Sequence, residues 1–181
     1  GERAAISAGY LEGGDVLVDG LDVFVGVGER TDAAGAAELG TVLGEEYAVH
    51  VLRLAPRILH LDVVLNLLPG NLALIYPDGL LDVPERLRRA YELVDLTADE
   101  QDRLATNVLS LDERTVVADE RNERVASILA RNLVLKSGQL STAVTMPSRS
   151  VRNSSTPPTA ACSGAFMAGP AVSATVASTR V

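Results

Sequence analysis

A few side chains in this 181-residue sequence are of types that could do chemistry together. Glu12 and Asp15 flank two glycines in "LEGGDV", Arg30 stands in "GERTDAAG", and His60 and Asp62 are one residue apart in "RILHLDVVLN". A carboxylate beside an imidazole makes an acid–base pair in which the carboxylate orients the ring. Further carboxylates can grip a planar, delocalised cation through several N–H groups. A guanidinium such as that of Arg30 suits a ligand carboxylate, and paired glycines let a backbone take positive φ and let a ligand approach closely. That constellation lacks only a nucleophile, and the single cysteine, Cys162, is the one thiol available. Read singly, each residue has a plainer role. His60 could bond a backbone carbonyl, Asp62 and Asp15 could close turns, Arg30 could be solvated, and Cys162 could be inert.

Repeated local patterns must position these residues. "DVLV" and "VFVGVG" are two apolar runs joined by "DGLD", a hairpin signal. "TDAAGAAELGTVLGEE" predicts a helix capped by Thr31 or Asp32, and "YAVHVLRL" predicts a strand. The order strand, strand, helix, strand returns with "HLDVVLNLL", "LALIY" after the turn "PGN", "VPERLRRAYE" with Pro84 in its first turn, and "ELVDL". A short helix at "TADEQDRLAT" follows, with Thr97 and Glu100 in capping-box spacing. The third copy is "NVLSL", "TVVAD", "RNERVASILARN" and "LVLKS". Glu12, His60 and Asn107 open the copies at intervals of 48 and 47 residues. Such a period means a stacked array or units set round an axis. In a strand, His60 and Asp62 would share one face about 7 Å apart, with Leu59, Leu61 and Val63 on the other.

Hydrophobic residues make up 47% of the chain, enough for a globular core up to about residue 140. The net charge of −8 argues against nucleic acid and against an anionic membrane surface as partners. No apolar run approaches the ~20 residues of a spanning helix, and no signal peptide is evident. A lone cysteine permits no internal disulfide and fits a reducing, cytoplasmic compartment. The composition predicts that residues 1–140 fold and that residues 141–181, rich in Ser, Thr, Ala and Pro, form a low-complexity, disordered tail.

Taken together, "LEGGDVLVDG", "VFVGVGERTDAAGAAEL", "HLD" and "NVLSLDERTVVADERN" resemble the guanidine-modifying, or pentein, superfamily of arginine deiminases, dimethylarginine dimethylaminohydrolases and amidinotransferases. The resemblance covers roughly residues 11–136. It implies an α/β propeller of ββαβ units around a pseudo-fivefold axis, with the site on that axis. About three of the five units are expected here, a partial propeller. It implies hydrolysis of a guanidine, arginine or a methylated arginine, with no metal and no organic cofactor. His60 matches the catalytic histidine, and Glu12 matches the carboxylate that holds the guanidinium and the histidine. Asp62 matches the second carboxylate on the guanidinium, and Arg30 a basic residue that binds the substrate carboxylate. Asp15 completes the motif as a substrate-side carboxylate. A cysteine thiolate is the nucleophile.

The chain departs from that pattern in two places. The first units of the propeller are absent and position 1 is Gly, so the start is expected to be a fragment boundary. An open propeller leaves sheet edges that favour homo-oligomers. Cys162 lies in "PPTAACSGAFMAG" rather than in a glycine-rich loop. From about Met146 onward the composition fits a stretch read out of frame, since "NSSTPPTAAC" can be back-translated so that a shifted frame contains Asp-Gly-Gly. Amidino transfer, a non-catalytic guanidine-binding module and a ligand-free repeat scaffold are the competing functions. The scaffold alone predicts that Glu12, His60 and Asp62 do not converge.

Overall fold

The computed structural model describes residues 4–138, and the three expected units follow one another in it. The first is β1 (Val16–Asp19), β2 (Asp22–Val27), α1 (Ala33–Leu43) and β3 (Ala48–Arg53). The second is β4 (Leu65–Leu68), β5 (Leu72–Ile75), α2 (Glu85–Ala90) and β6 (Glu92–Asp95), followed by a short helix, α3 (Ala98–Asp102). The third is β7 (Leu109–Ser110), β8 (Thr115–Asp119), α4 (Glu123–Asn132) and β9 (Val134–Gly138). Each unit forms its own three-stranded sheet, with the second strand in the middle. That strand pairs antiparallel with the first and parallel with the third. A hairpin makes the first pairing, and the helical crossover that parallel strands require makes the second. The fold is therefore a mixed α/β arrangement of three ββαβ units, as the repeats predict.

Local chemistry accounts for the boundaries. The Asp32 side chain caps α1 by accepting from the Gly35 N–H at 2.7 Å. Asp32, rather than Thr31, is thus the cap, and Thr31 is free for another task. Thr97 and Glu100 form the expected reciprocal capping box on α3, which α4 braces through an Arg124–Glu100 ion pair at 2.7 Å. Gly70 and Asn71 both take positive φ in the three-residue turn, 69–71, between the paired Leu68 of β4 and Leu72 of β5, a backbone that glycine and asparagine adopt readily.

The cores lie between sheets, and alternation within strands decides which core each residue enters. In β5, Ala73 and Ile75 join a cluster with Phe24, Leu52, Leu61 and Leu87. Their neighbours Leu72 and Leu74 join a second cluster with Val116, Val125 and Leu129. Strand β5, the centre of the second sheet, is therefore buried on both faces, which explains its unbroken run of apolar residues. A third cluster packs Ala36 and Leu39 of α1 against Val23 and Val25.

Two expectations change. Residues 57–66 are not one strand. His60 is extended, Leu61–Val63 form a single 3-10 turn, and pairing begins only at Leu65. The Leu61 N–H is taken by the Asp15 carboxylate at 2.9 Å and the Val64 N–H by the Leu61 carbonyl at 3.0 Å, so neither can join a ladder. The predicted strand "NVLSL" shrinks to Leu109 and Ser110. The Asn66 side-chain amide occupies the carbonyls of Thr106 and Val108, both at 2.7 Å, and the Asn107 N–H donates to the Leu104 carbonyl at 2.9 Å. Cys162 and the segment 141–181 lie outside the described residues. No helix among the described residues is long and apolar enough to cross a membrane.

Candidate active site

The openings of the first two units meet. The turn Gly13–Asp15 contacts the turn Leu61–Val63, and β1 contacts β4. The glycine pair explains how close they come. A Cβ on Gly14 would stand 3.0 Å from His60 Cγ and 3.1 Å from Asp62 Oδ2. The Gly14 backbone thus fills the space between the two side chains that "HLD" brings to this end of the fold.

His60 and Glu12, 48 residues apart in sequence, are joined by a 2.6 Å hydrogen bond between Nε2 and Oε2. That bond is the main cause holding the Glu12 carboxyl below its ordinary value, with the Arg30 charge adding to it against partial desolvation. An ionised carboxylate only accepts, so Nε2 carries the proton and neutral His60 has its lone pair on Nδ1. The other Glu12 oxygen, Oε1, accepts from Arg30 Nη1 at 3.4 Å, and both side chains are well exposed at 43% and 52%. Glu12 therefore sits between an imidazole and a guanidinium.

Beneath this pair lies a chain of bonds that fixes it. The Glu12 N–H donates to Thr31 Oγ1 at 3.0 Å, the Thr31 hydroxyl donates to Asp15 Oδ2 at 2.6 Å, and Asp15 Oδ1 accepts from the Leu61 N–H at 2.9 Å. Asp15 has no exposed surface. Burial pushes its carboxyl above the ordinary Asp value, with the Thr31 and Leu61 bonds opposing. Its place under the site, both oxygens occupied, differs from the expectation that it faces a ligand. A buried carboxylate needs partners, and here the partners tie the two openings together. Composition gave no sign of Thr31 in this role. The available signal was its position, one residue before a helix that Asp32 already caps.

His60 and Asp62 line a cavity of about 340 Å³ with Asn66, Leu104, Thr106 and Asn107 among its other walls, a size that suits a small molecule. Asp62 is exposed there. Glu12, His60, Asp62 and Arg30 thus gather at one place, with Asp15 below them. No group of three or more His, Cys, Asp and Glu with metal-holding geometry occurs among the described residues.

A profile of the family described as N,N dimethylarginine dimethylhydrolase, eukaryotic, matches residues 4–135. The chain belongs to this family. The dimethylarginine hydrolase fold is seen again in the dimethylarginine dimethylaminohydrolase of Pseudomonas aeruginosa, solved with citrulline bound. That protein is 25% identical with a TM-score of 0.63, over 74% of this chain and 51% of the other. Among curated proteins, the uncharacterised YkgA of Bacillus subtilis is 34% identical over 76% of this chain and 51% of its own length. An arginine deiminase of Mycolicibacterium gilvum is 32% identical over 66% of this chain and 39% of its own. The chain spans about half the length of the relatives it matches, or less. The family and the three ββαβ units together place it in the guanidine-modifying superfamily, as the motifs predict.

Proposed function

We propose that this chain carries the guanidine-holding part of an amidine hydrolase acting on arginine or a methylated arginine. The observation that supports this best is the Glu12–His60 bond beside an exposed Asp62 at a small-molecule cavity, in a member of the dimethylarginine hydrolase family. On this reading residues 1–140 are the guanidine-modifying region, and residues 141–181 contribute only Cys162.

The steps follow from the groups present. Asp62 and Glu12 hold the planar guanidinium from two sides, and Arg30 leaves Glu12 to meet the substrate carboxylate. A thiolate attacks the guanidinium carbon, forming a C–S bond, and the chain's only cysteine is Cys162. Protonated His60 gives its proton to the leaving nitrogen as the C–N bond breaks, releasing ammonia or a methylated amine. Neutral His60 then takes a proton from water as the water oxygen attacks the same carbon. The C–S bond then breaks as the new hydroxyl gives up its remaining proton to solvent, which restores the thiolate and leaves a ureido product, citrulline. Glu12 keeps the ring oriented in both halves.

The test is citrulline formation from L-arginine and from asymmetric dimethylarginine, with His60→Ala and Cys162→Ser beside the wild type. The reading predicts turnover of at least one substrate, lost in both variants. Turnover that survives His60→Ala would refute the mechanism. Absence of both turnover and arginine binding in the wild type would refute the function.

A further inference from the structure

We propose that Gln101 and Thr106 are positioning residues for Asp62, acting through the Val63 carbonyl. The inference rests on the proposed role of Asp62 in holding a guanidinium. Asp62 stands on a single 3-10 turn with an exposed side chain. Among the described residues no donor is bonded to its carboxylate, so its direction depends on how firmly its own backbone is held.

That backbone is held on both sides. The residue before it is tied to the first unit through the Leu61 N–H and Asp15. The residue after it is tied to the segment leading into the third unit: the Val63 carbonyl accepts from Gln101 Nε2 at 2.7 Å and from Thr106 Oγ1 at 2.9 Å. Two side-chain donors use both lone pairs of one carbonyl.

The donors are themselves anchored. Gln101 is in α3, fixed by its capping box and by Arg124. Thr106 is buried, and its carbonyl accepts from Asn66 at 2.7 Å. Gln101 Oε1 is buried without a partner among the described residues. An apolar side chain would fill that place without orphaning an oxygen, so the amide's use is the bond to Val63. Val63 and Thr106 also line the cavity that holds His60 and Asp62. The clamp thus sits directly behind the carboxylate.

The experiment compares the full chain with Thr106→Val, Gln101→Leu and Thr106→Ser. It reads the ¹⁵N shift of the Val64 amide, which shares its peptide group with the Val63 carbonyl. It also reads exchange of the Leu61 and Val64 amides, the melting temperature, and L-arginine affinity by calorimetry. Thr106→Val and Gln101→Leu are expected to move the Val64 shift and speed exchange. They should weaken arginine binding about tenfold, the scale of a sub-ångström misplacement, while the melting temperature falls by no more than about 5 °C. Thr106→Ser restores the shift, the exchange and the affinity. The inference is overturned if the amides do not respond, or if affinity follows melting temperature equally in all three variants. If the wild type binds no arginine, the proposed function fails separately. The amide readout then decides the clamp by itself.

Discussion

The geometry at Gly14 permits a prediction with an internal control. A methyl there would stand 3.0 Å from His60 Cγ, 3.1 Å from His60 Cβ and 3.1 Å from Asp62 Oδ2. Carbon atoms in contact prefer about 3.5–4.0 Å, so the ring must retreat by ~0.5 Å, and the carboxylate oxygen, which packs closer to carbon, by less. His60 cannot retreat freely, because its Nε2 is held 2.6 Å from Glu12. A 1 Å misplacement of reacting groups costs about a hundredfold in rate, so half of that, scaled logarithmically, costs about tenfold. Gly14→Ala should therefore lower arginine affinity and any citrulline formation about tenfold. Gly13→Ala should change neither, because nothing lies within 4 Å of its Cβ position. Neither glycine has positive φ, so backbone strain does not confuse the pair. The ring protons of His60 give a readout independent of turnover, and with only two histidines in the chain the assignment is simple. The other, His50, is engaged elsewhere with Asp22 at 2.7 Å. Gly14→Ala should move the His60 resonances and leave those of His50 in place. Equal effects of Gly13→Ala and Gly14→Ala on ring resonances and affinity would refute the packing argument.

Gly35→Ala should destabilise the fold by more than about 2 kcal/mol in urea unfolding, although alanine normally favours a helix by about 1 kcal/mol. Its Cβ would lie 2.1 Å from the Tyr10 carbonyl oxygen, a backbone atom with no room to yield; a stabilised variant would contradict this. Asp22 is held down to about 2, first by Arg86 and then by His50. Because that folded value is depressed, its contribution is complete above the ordinary Asp value near 3.8 and is lost as pH falls towards 2. The melting temperature of the wild type should therefore fall more steeply than that of Asp22→Asn between pH 4 and pH 2. Parallel curves by circular dichroism would remove the linkage. Thr97→Ala removes a cap that accepts from the Glu100 N–H at 3.3 Å and should cost about 1 kcal/mol by denaturant titration; no change in midpoint would show that Arg124 alone holds α3.

The sequence by itself determined the units, the capping box of α3 and the types of the site residues. Alternation, turn glycines and capping pairs act over a few residues, so they remain legible without a partner. The run "LALIY" reads as a strand after its turn, and Thr97 with Glu100 reads as the opening of a helix. The motifs also placed Glu12, His60 and Asp62 at the openings of the units.

Only the tertiary structure decided what those openings do to one another. "RILHLDVVLN" carries strand-like residues, yet Leu61–Val63 turn because Asp15, from the previous unit, takes the Leu61 N–H. Asp15 looks like a ligand-facing carboxylate in "EGGD", yet it is buried because Thr31 and Leu61 supply its hydrogen bonds. Asn66, Gln101 and Thr106 look like ordinary polar residues, yet they hold carbonyls 38 to 43 residues away. Hydrogen bonds between units have no sequence period. They exist only once the sheets have packed and brought the ends of their first strands together.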